Sequence, residues 1–157
     1  MSLEKVTTLD ALVARRPGWK AAGQTVALAN GVFDLLHVGH LRYLQGARAL
    51  ADVLLVAVNS DASTRALKGP GRPVIPAAER LELLAGLACT TFVFPFEGAD
   101  VRAVLRALRP ELHVKGTDYT PDTIPERDEL AAWGGRAVVA GDPKDHSTTE
   151  LLGRTGR

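Results

Sequence analysis

Two rhythms of apolar residues alternate along this chain. Short, nearly continuous apolar runs occur as "TVALAN" at 25–30, "VLLVAVN" at 53–59, "TFVF" at 91–94, "LHVKG" at 112–116 and "RAVVAG" at 136–141. Runs of that length and composition read as strands buried on both faces. Between them, residues 40–51, 77–88, 100–108 and 125–133 carry apolar side chains at helical spacing. Val101, Val104, Leu105 and Leu108 show it best, at i, i+3, i+4 and i+7 on one helical face. Asp100 is placed to cap that helix, Arg109-Pro110 to end it, and Gly134-Gly135 to stop the next. Residues 3–15 predict a first helix. Ser147 and Glu150, in the S-x-x-E form of a capping box, predict the start of a last one.

Strands and helices alternating at this spacing predict βαβ units with helices on both faces of the sheet. The expected fold class is α/β, a Rossmann-like three-layer sandwich around a five-stranded, mainly parallel sheet. One domain is expected over 1–157, with a lead-in at 1–24 and the core at 25–152. Ligands of such sheets bind beyond the carboxyl ends of the strands, where the strand order switches. That rule selects the loops 31–40, 59–73, 95–99, 116–125 and 141–149. The densest interruption, "LKGPGRPVIP" at 67–76, reads as a functional loop rather than a domain linker.

Composition narrows the partners. The chain has 157 residues, enough for one sizeable core. Its net charge of +1 carries no acidic or basic tail that would announce nucleic acid or a membrane surface. The single cysteine, Cys89, excludes a disulfide framework and a cysteine-rich zinc site, and fits a reducing compartment. The start, "MSLEKVTTLDALVARR", is too charged for a signal peptide, and no apolar run approaches the ~18 residues of a membrane span. The expectation is a cytoplasmic protein with neither nucleic acid nor membrane as partner.

The candidate chemistry lies in "NGVFDLLHVGH" at 30–40, where the first strand gives way to a helix. Gly31 suits a tight exit from the strand, and Gly39 a close approach of backbone and ligand. A helix starting near His37–His40 presents unpaired N–H groups and the positive end of its dipole, a natural seat for phosphate. Two imidazoles at i and i+3 there add hydrogen-bond donors toward one polyphosphate, and the dipole favours their neutral form. The bland alternative packs His37 in the core and leaves His40 on the surface. A histidine metal site is a weaker rival, since no third ligand lies nearby and His113 falls inside a predicted strand. A dinucleotide fingerprint is absent, because no G-x-G-x-x-G follows the first strand.

"GVFDLLHVGH" resembles the signature of the H-x-G-H nucleotidyltransferase superfamily, in its cytidylyltransferase-like branch. "VAVNSDASTRALKGPGRPVIPAAER", "VKGTDY" and "HSTT" follow in the order and spacing seen in the adenylyltransferase domain of bacterial heptose-phosphate enzymes. That domain is fused to a sugar kinase in many bacteria; here it is expected to stand alone. The resemblance implies transfer of AMP from ATP to a sugar 1-phosphate, D-glycero-β-D-manno-heptose 1-phosphate above all. ADP-heptose and pyrophosphate would result, with Mg2+ accompanying ATP and a homodimer as the assembly.

Residue by residue, the resemblance implies that His37 and His40 bind the triphosphate and stabilise the transition state, while Lys68 grips the acceptor phosphate or bridges it to the nucleotide. Gly31, Val32, Phe33, Asp34 and Gly39 would hold the nucleotide from the first loop, and Ser147, Thr148 and Thr149 from the start of the last helix. Arg72, Lys115, Gly116 and Asp118 would meet the acceptor. For several of them there is a plainer reading: a turn acid for Asp34, solvated charge for Lys68 and Arg72, simple capping for Ser147. Arg80, in the helix after the loop, reads as its buttress through an ion pair.

The chain also departs from the family pattern. The commoner form has Gly or Asp where this chain has Thr117. Glycerol-phosphate cytidylyltransferases usually carry Arg five residues before the serine of "HSTT", where this chain has Asp142, and His146 replaces a small or apolar residue. Two other functions stay open on the sequence. One is a cytidylyltransferase for glycerol 3-phosphate or another phosphorylated polyol; the other is a nucleotide-binding regulatory domain without catalysis.

Overall fold

The computed structural model describes residues 2–143 and 148–156. Five strands, β1 (Val26–Gly31), β2 (Val53–Asn59), β3 (Phe92–Phe96), β4 (Leu112–Lys115) and β5 (Arg136–Val139), form one sheet in the order β3-β2-β1-β4-β5. Every pairing is parallel, so the sheet is parallel throughout rather than mainly so. β1 is central, and side-chain alternation along it explains the two apolar layers. Ala27 and Ala29 face one core with Leu44, Leu54 and Val56, while Val26 and Leu28 face the other with Leu12, Leu55 and Phe94. A fully buried Leu28 contributes about 1.5–3 kcal/mol relative to an exposed one.

The first core lies under α2 (Val38–Ala49) and α4 (Ala77–Ala85); the second lies under α1 (Leu9–Ala21), α5 (Arg102–Leu108) and α6 (Arg127–Ala131). α5 ends as expected, with Arg109 in the left-handed conformation at φ 45° before Pro110. At its start, the Asp100 carboxylate accepts the Arg102 N–H at 3.0 Å. Among the described residues no helix is long and apolar enough to cross a membrane.

Two segments differ from the sequence reading. The expected helix at 3–15 is a 3-10 turn at Ser2–Lys5 followed by α1, which begins at Leu9. β-Branched Val6 bridges Val93 of β3, and Thr8 caps α1 by accepting the Ala11 N–H at 3.3 Å. The expected loop at 59–73 contains α3 (Asp61–Lys68). Ser60 caps it through the Ser63 N–H, and the face it buries is polar, Ser63 and Thr64. With no apolar stripe, the helix leaves no hydrophobic period to read.

Candidate functional site

The strand order reverses between β1 and β4, and a cavity of about 290 Å3 opens there at the carboxyl ends. α2 begins on its wall. His37 caps α2, its Nδ1 accepting the Gly39 N–H at 3.1 Å, and His40 Nδ1 accepts the His37 N–H at 3.3 Å. The two rings stack with centroids 3.9 Å apart. Because both Nδ1 atoms accept backbone protons, the proton of each neutral ring sits on Nε2. The pair forms the capping box of α2.

The loop before α2 is strained and heavily tied down. Phe33 and Leu35 have φ of 53° and 52°, a region bulky residues avoid. Phe33 meets the His40 ring edge-on at 5.4 Å, and Gly31 makes room for it, since a Cβ there would sit 3.2 Å from the Phe33 ring. Gly31 does not adopt a positive φ; its use is this space, not a tight turn.

Arg80, fully buried, holds the loop from beneath. Its Nη1 donates to the carbonyls of Val32 at 2.7 Å and Asn59 at 2.8 Å, its Nε to Ile75 O at 2.9 Å, and its Nη2 to Asp61 at 2.8 Å. One guanidinium thus joins the ends of β1 and β2 to the loop after α3.

Asp34 makes the reciprocal tie. Its carboxylate accepts the N–H groups of Val74 at 2.8 Å and Ile75 at 2.9 Å, and Arg72 Nε at 2.9 Å. Burial works to raise the Asp34 pKa, but these donors and the Arg72 charge outweigh it and hold it below the usual value. Asp34 is thus a structural clasp at the cavity wall.

The structure brings most of the expected residues together. Val32, Phe33, Asp34, His37, Gly39, His40, Lys68, Arg72, Gly116, Asp118 and Thr149 line the cavity. Lys68 is the last residue of α3 rather than a loop residue, is exposed, and makes no hydrogen bond or ion pair among the described residues. Thr148 opens α7 (Thr148–Thr155), whereas Ser147 and His146 lie outside the described residues.

Gly31 and Lys115 are not among the lining residues. Strand alternation sends Lys115 to the same side of β4 as His113, where its amine lies 5.0 Å from the Tyr119 ring centroid. Burial lowers the Lys115 pKa, opposed by the charge of Glu126.

Some lining residues went unnoticed in the sequence. Arg42 and Tyr43 follow His40 on α2, and Tyr43 stands one turn beyond it, a spacing that places both on neighbouring turns of a helix wall. The Tyr43 hydroxyl donates to the Val114 carbonyl, and burial raises its pKa. Gly141, with φ 100°, lets the chain after β5 press against α2: a Cβ there would come 3.1 Å from Tyr43 Cα. Thr117, the departure noted above, donates to the Asp142 carbonyl at 2.7 Å and so joins the exits of β4 and β5.

Behind the site, His113 is fully buried with its Nε2 2.9 Å from Asn30 Oδ1. Burial, and secondarily the Lys115 charge, push its pKa down to about 3. The unfolded chain therefore takes up a proton below its normal pKa of about 6.5 that folded His113 refuses. Stability should fall as pH drops from about 6.5 toward 3, by at most about 1.4 kcal/mol per pH unit from this residue. Urea unfolding of the wild type and His113→Gln between pH 7.5 and 5 checks it. The variant should lose that share of the acid slope; identical slopes would refute it.

Stacked imidazoles, a lysine without an ion pair among the described residues and a helix start thus meet at the switch point of a parallel sheet, an arrangement suited to phosphate groups. Residues 28–152 match the family model described as cytidylyltransferase-like, and the chain belongs to that family. Among curated relatives, the bifunctional protein HldE of Syntrophotalea carbinolica is 46% identical over 132 residues, covering 84% of this chain and 27% of its own. HldE of Acidiphilium cryptum is 43% identical over 153 residues, 98% of this chain and 32% of its own. The chain thus spans about a third of the length of these relatives. The crystal structure of a lipopolysaccharide core biosynthesis protein from Thermoplasma volcanium superposes with a TM-score of 0.66 at 25% identity, covering 78% of this chain and all of that one.

Proposed function

We propose that the protein is an adenylyltransferase that joins ATP to a sugar 1-phosphate, D-glycero-β-D-manno-heptose 1-phosphate, yielding ADP-heptose and pyrophosphate. The observation that carries this reading is the stacked His37–His40 pair at the start of α2, with both Nδ1 atoms engaged by backbone N–H groups. The "VKGTDY" and "HSTT" segments and the likeness to the HldE proteins support the choice of substrates.

A phosphate oxygen of the acceptor attacks the α-phosphorus of ATP as the bond to the departing pyrophosphate breaks. The nucleophile is already anionic, so the site needs no strong base. Its work is alignment and the neutralisation of charge gathering on the bridging oxygen and the leaving group. His37 and His40 donate to the triphosphate from the start of α2. Lys68, which makes no ion pair among the described residues, serves the acceptor phosphate from the end of α3.

A divalent ion such as Mg2+ fits as a companion of the nucleotide, coordinated largely by phosphate oxygens with one or two carboxylates. Among the described residues no group of three or more His, Cys, Asp or Glu is placed to hold a metal by itself, while Asp118 and Asp142 line the cavity. When bound, the ion supplies charge neutralisation on the phosphates.

Pyrophosphate release, measured with magnesium for ATP and CTP against heptose 1-phosphate and glycerol 3-phosphate, tests the reading. Release with ATP and heptose 1-phosphate alone is expected. Release with CTP and glycerol 3-phosphate instead would make the protein a polyol-phosphate cytidylyltransferase by the same mechanism. Nucleotide binding with no release in any combination would overturn catalysis on these acceptors.

A further inference from the structure

One ion pair in the cavity is built differently from the rest. Arg42 of α2 meets Asp142, just after β5, at 3.1 Å, and both side chains line the cavity while remaining about half exposed, at 45% and 56%. It is the one ion pair that Arg42 makes among the described residues. The other lining arginine, Arg72, is committed to the buried carboxylate of Asp34.

The backbone of Asp142 is fixed by neighbours. Its carbonyl accepts the Thr117 hydroxyl, and the adjoining Gly141 packs on α2, where a Cβ at Gly46 would come 3.1 Å from Gly141 N. Among the described residues its carboxylate, in contrast, pairs with the solvent-accessible Arg42 guanidinium alone. Such exposed pairs contribute little, whereas a guanidinium on phosphate oxygens makes short, charge-assisted and often bidentate bonds. An anion entering this end of the cavity, beside Thr149 at the start of α7, takes Arg42 at small cost.

We infer that Arg42 is a ligand of the pyrophosphate portion of the nucleotide, and that Asp142 is its internal competitor. Asp142 holds the guanidinium at the cavity wall between turnovers, and surrenders it when the polyphosphate arrives. This rests on the nucleotide reading above and extends it: the carboxylate weakens the grip on the leaving group and so assists its departure.

The test is calorimetric titration of the wild type, Arg42→Ala, Arg42→Lys, Asp142→Asn and the Arg42→Ala/Asp142→Asn double variant with inorganic pyrophosphate and, separately, with ATP. Arg42→Ala should weaken pyrophosphate binding at least about tenfold, the loss of a charge-assisted bond. Arg42→Lys should recover part of that loss. Asp142→Asn should tighten binding about two- to fivefold, the range of an exposed pair. The double variant should match Arg42→Ala, because the competitor matters only while Arg42 is present.

Weaker binding in Asp142→Asn would overturn the inference and make the carboxylate itself a binding group. Unchanged pyrophosphate binding in Arg42→Ala, with ATP still bound by the wild type, would overturn it and leave the nucleotide reading standing. A wild type that bound neither ATP nor pyrophosphate would remove both.

Discussion

Replacing His40 with alanine is expected to lower kcat by about 10²–10³-fold, about 2.7–4 kcal/mol of transition-state stabilisation, the scale for losing one donor aimed at developing charge. Two losses combine at this position. The Nε2–H donor disappears, and so does the Nδ1 acceptor that engages the His37 N–H and keeps the rings stacked at 3.9 Å. His40 also supplies the reciprocal half of the capping box at the start of α2, so the stability of the variant is measured beside its rate. Single-turnover rates and the KM for ATP, measured together, separate the outcomes. A fall in kcat with little change in KM is the expected signature. A raised KM with kcat intact would make His40 a ground-state ligand only.

The largest expected effect on stability belongs to Arg80. Arg80→Leu leaves the carbonyls of Val32, Asn59 and Ile75 without their shared donor and takes from Asp61 its ion-pair partner, leaving its carboxylate the Ala77 N–H. Each buried carbonyl left without a donor costs about 1–3 kcal/mol. A domain of this size is stable by only about 5–15 kcal/mol in all, so the midpoint of urea unfolding should move far toward zero. Arg80→Lys should also be poorly tolerated, since a point ammonium does not reproduce the fork that reaches four acceptors. Loss below about 1 kcal/mol in the leucine variant would mean the network adjusts without Arg80.

Much of this architecture was legible because the strands are buried on both faces. β2 has the predicted bounds, and the other four differ from the apolar runs by a few residues at their ends. α3 was hidden for the opposite reason, since the side it buries is Ser63 and Thr64, anchored by Asn59 and Ser60.

The site followed the same division. His37, Gly39 and His40 sit within a few residues of one another, so their motif is visible locally. The clasp of Asp34 on residues near 74 and the reach of Arg80 across three segments are long-range facts, and a sequence shows only an acid and an arginine. Arg42 was missed because nothing in its own neighbourhood marks it. Its partner Asp142 reaches it only after β5 is laid down beside β4.

The position of β1 between β2 and β4 sets the order in which the two halves of the site come together. β1 closes onto β2 through one nearby crossover, but its other edge waits for a strand much farther along the chain. The tie from Val26 N–H to Glu111, which secures that second edge, joins residues 85 apart in sequence. Closing so long a loop is slow, because its entropy is spent before any contact repays it. His37, His40 and Lys68 belong to the early half; Gly116, Asp118 and Thr149 belong to the late one. On refolding, recovery of secondary structure should therefore run ahead of recovery of activity, and the interval between them is the time the second half takes to dock.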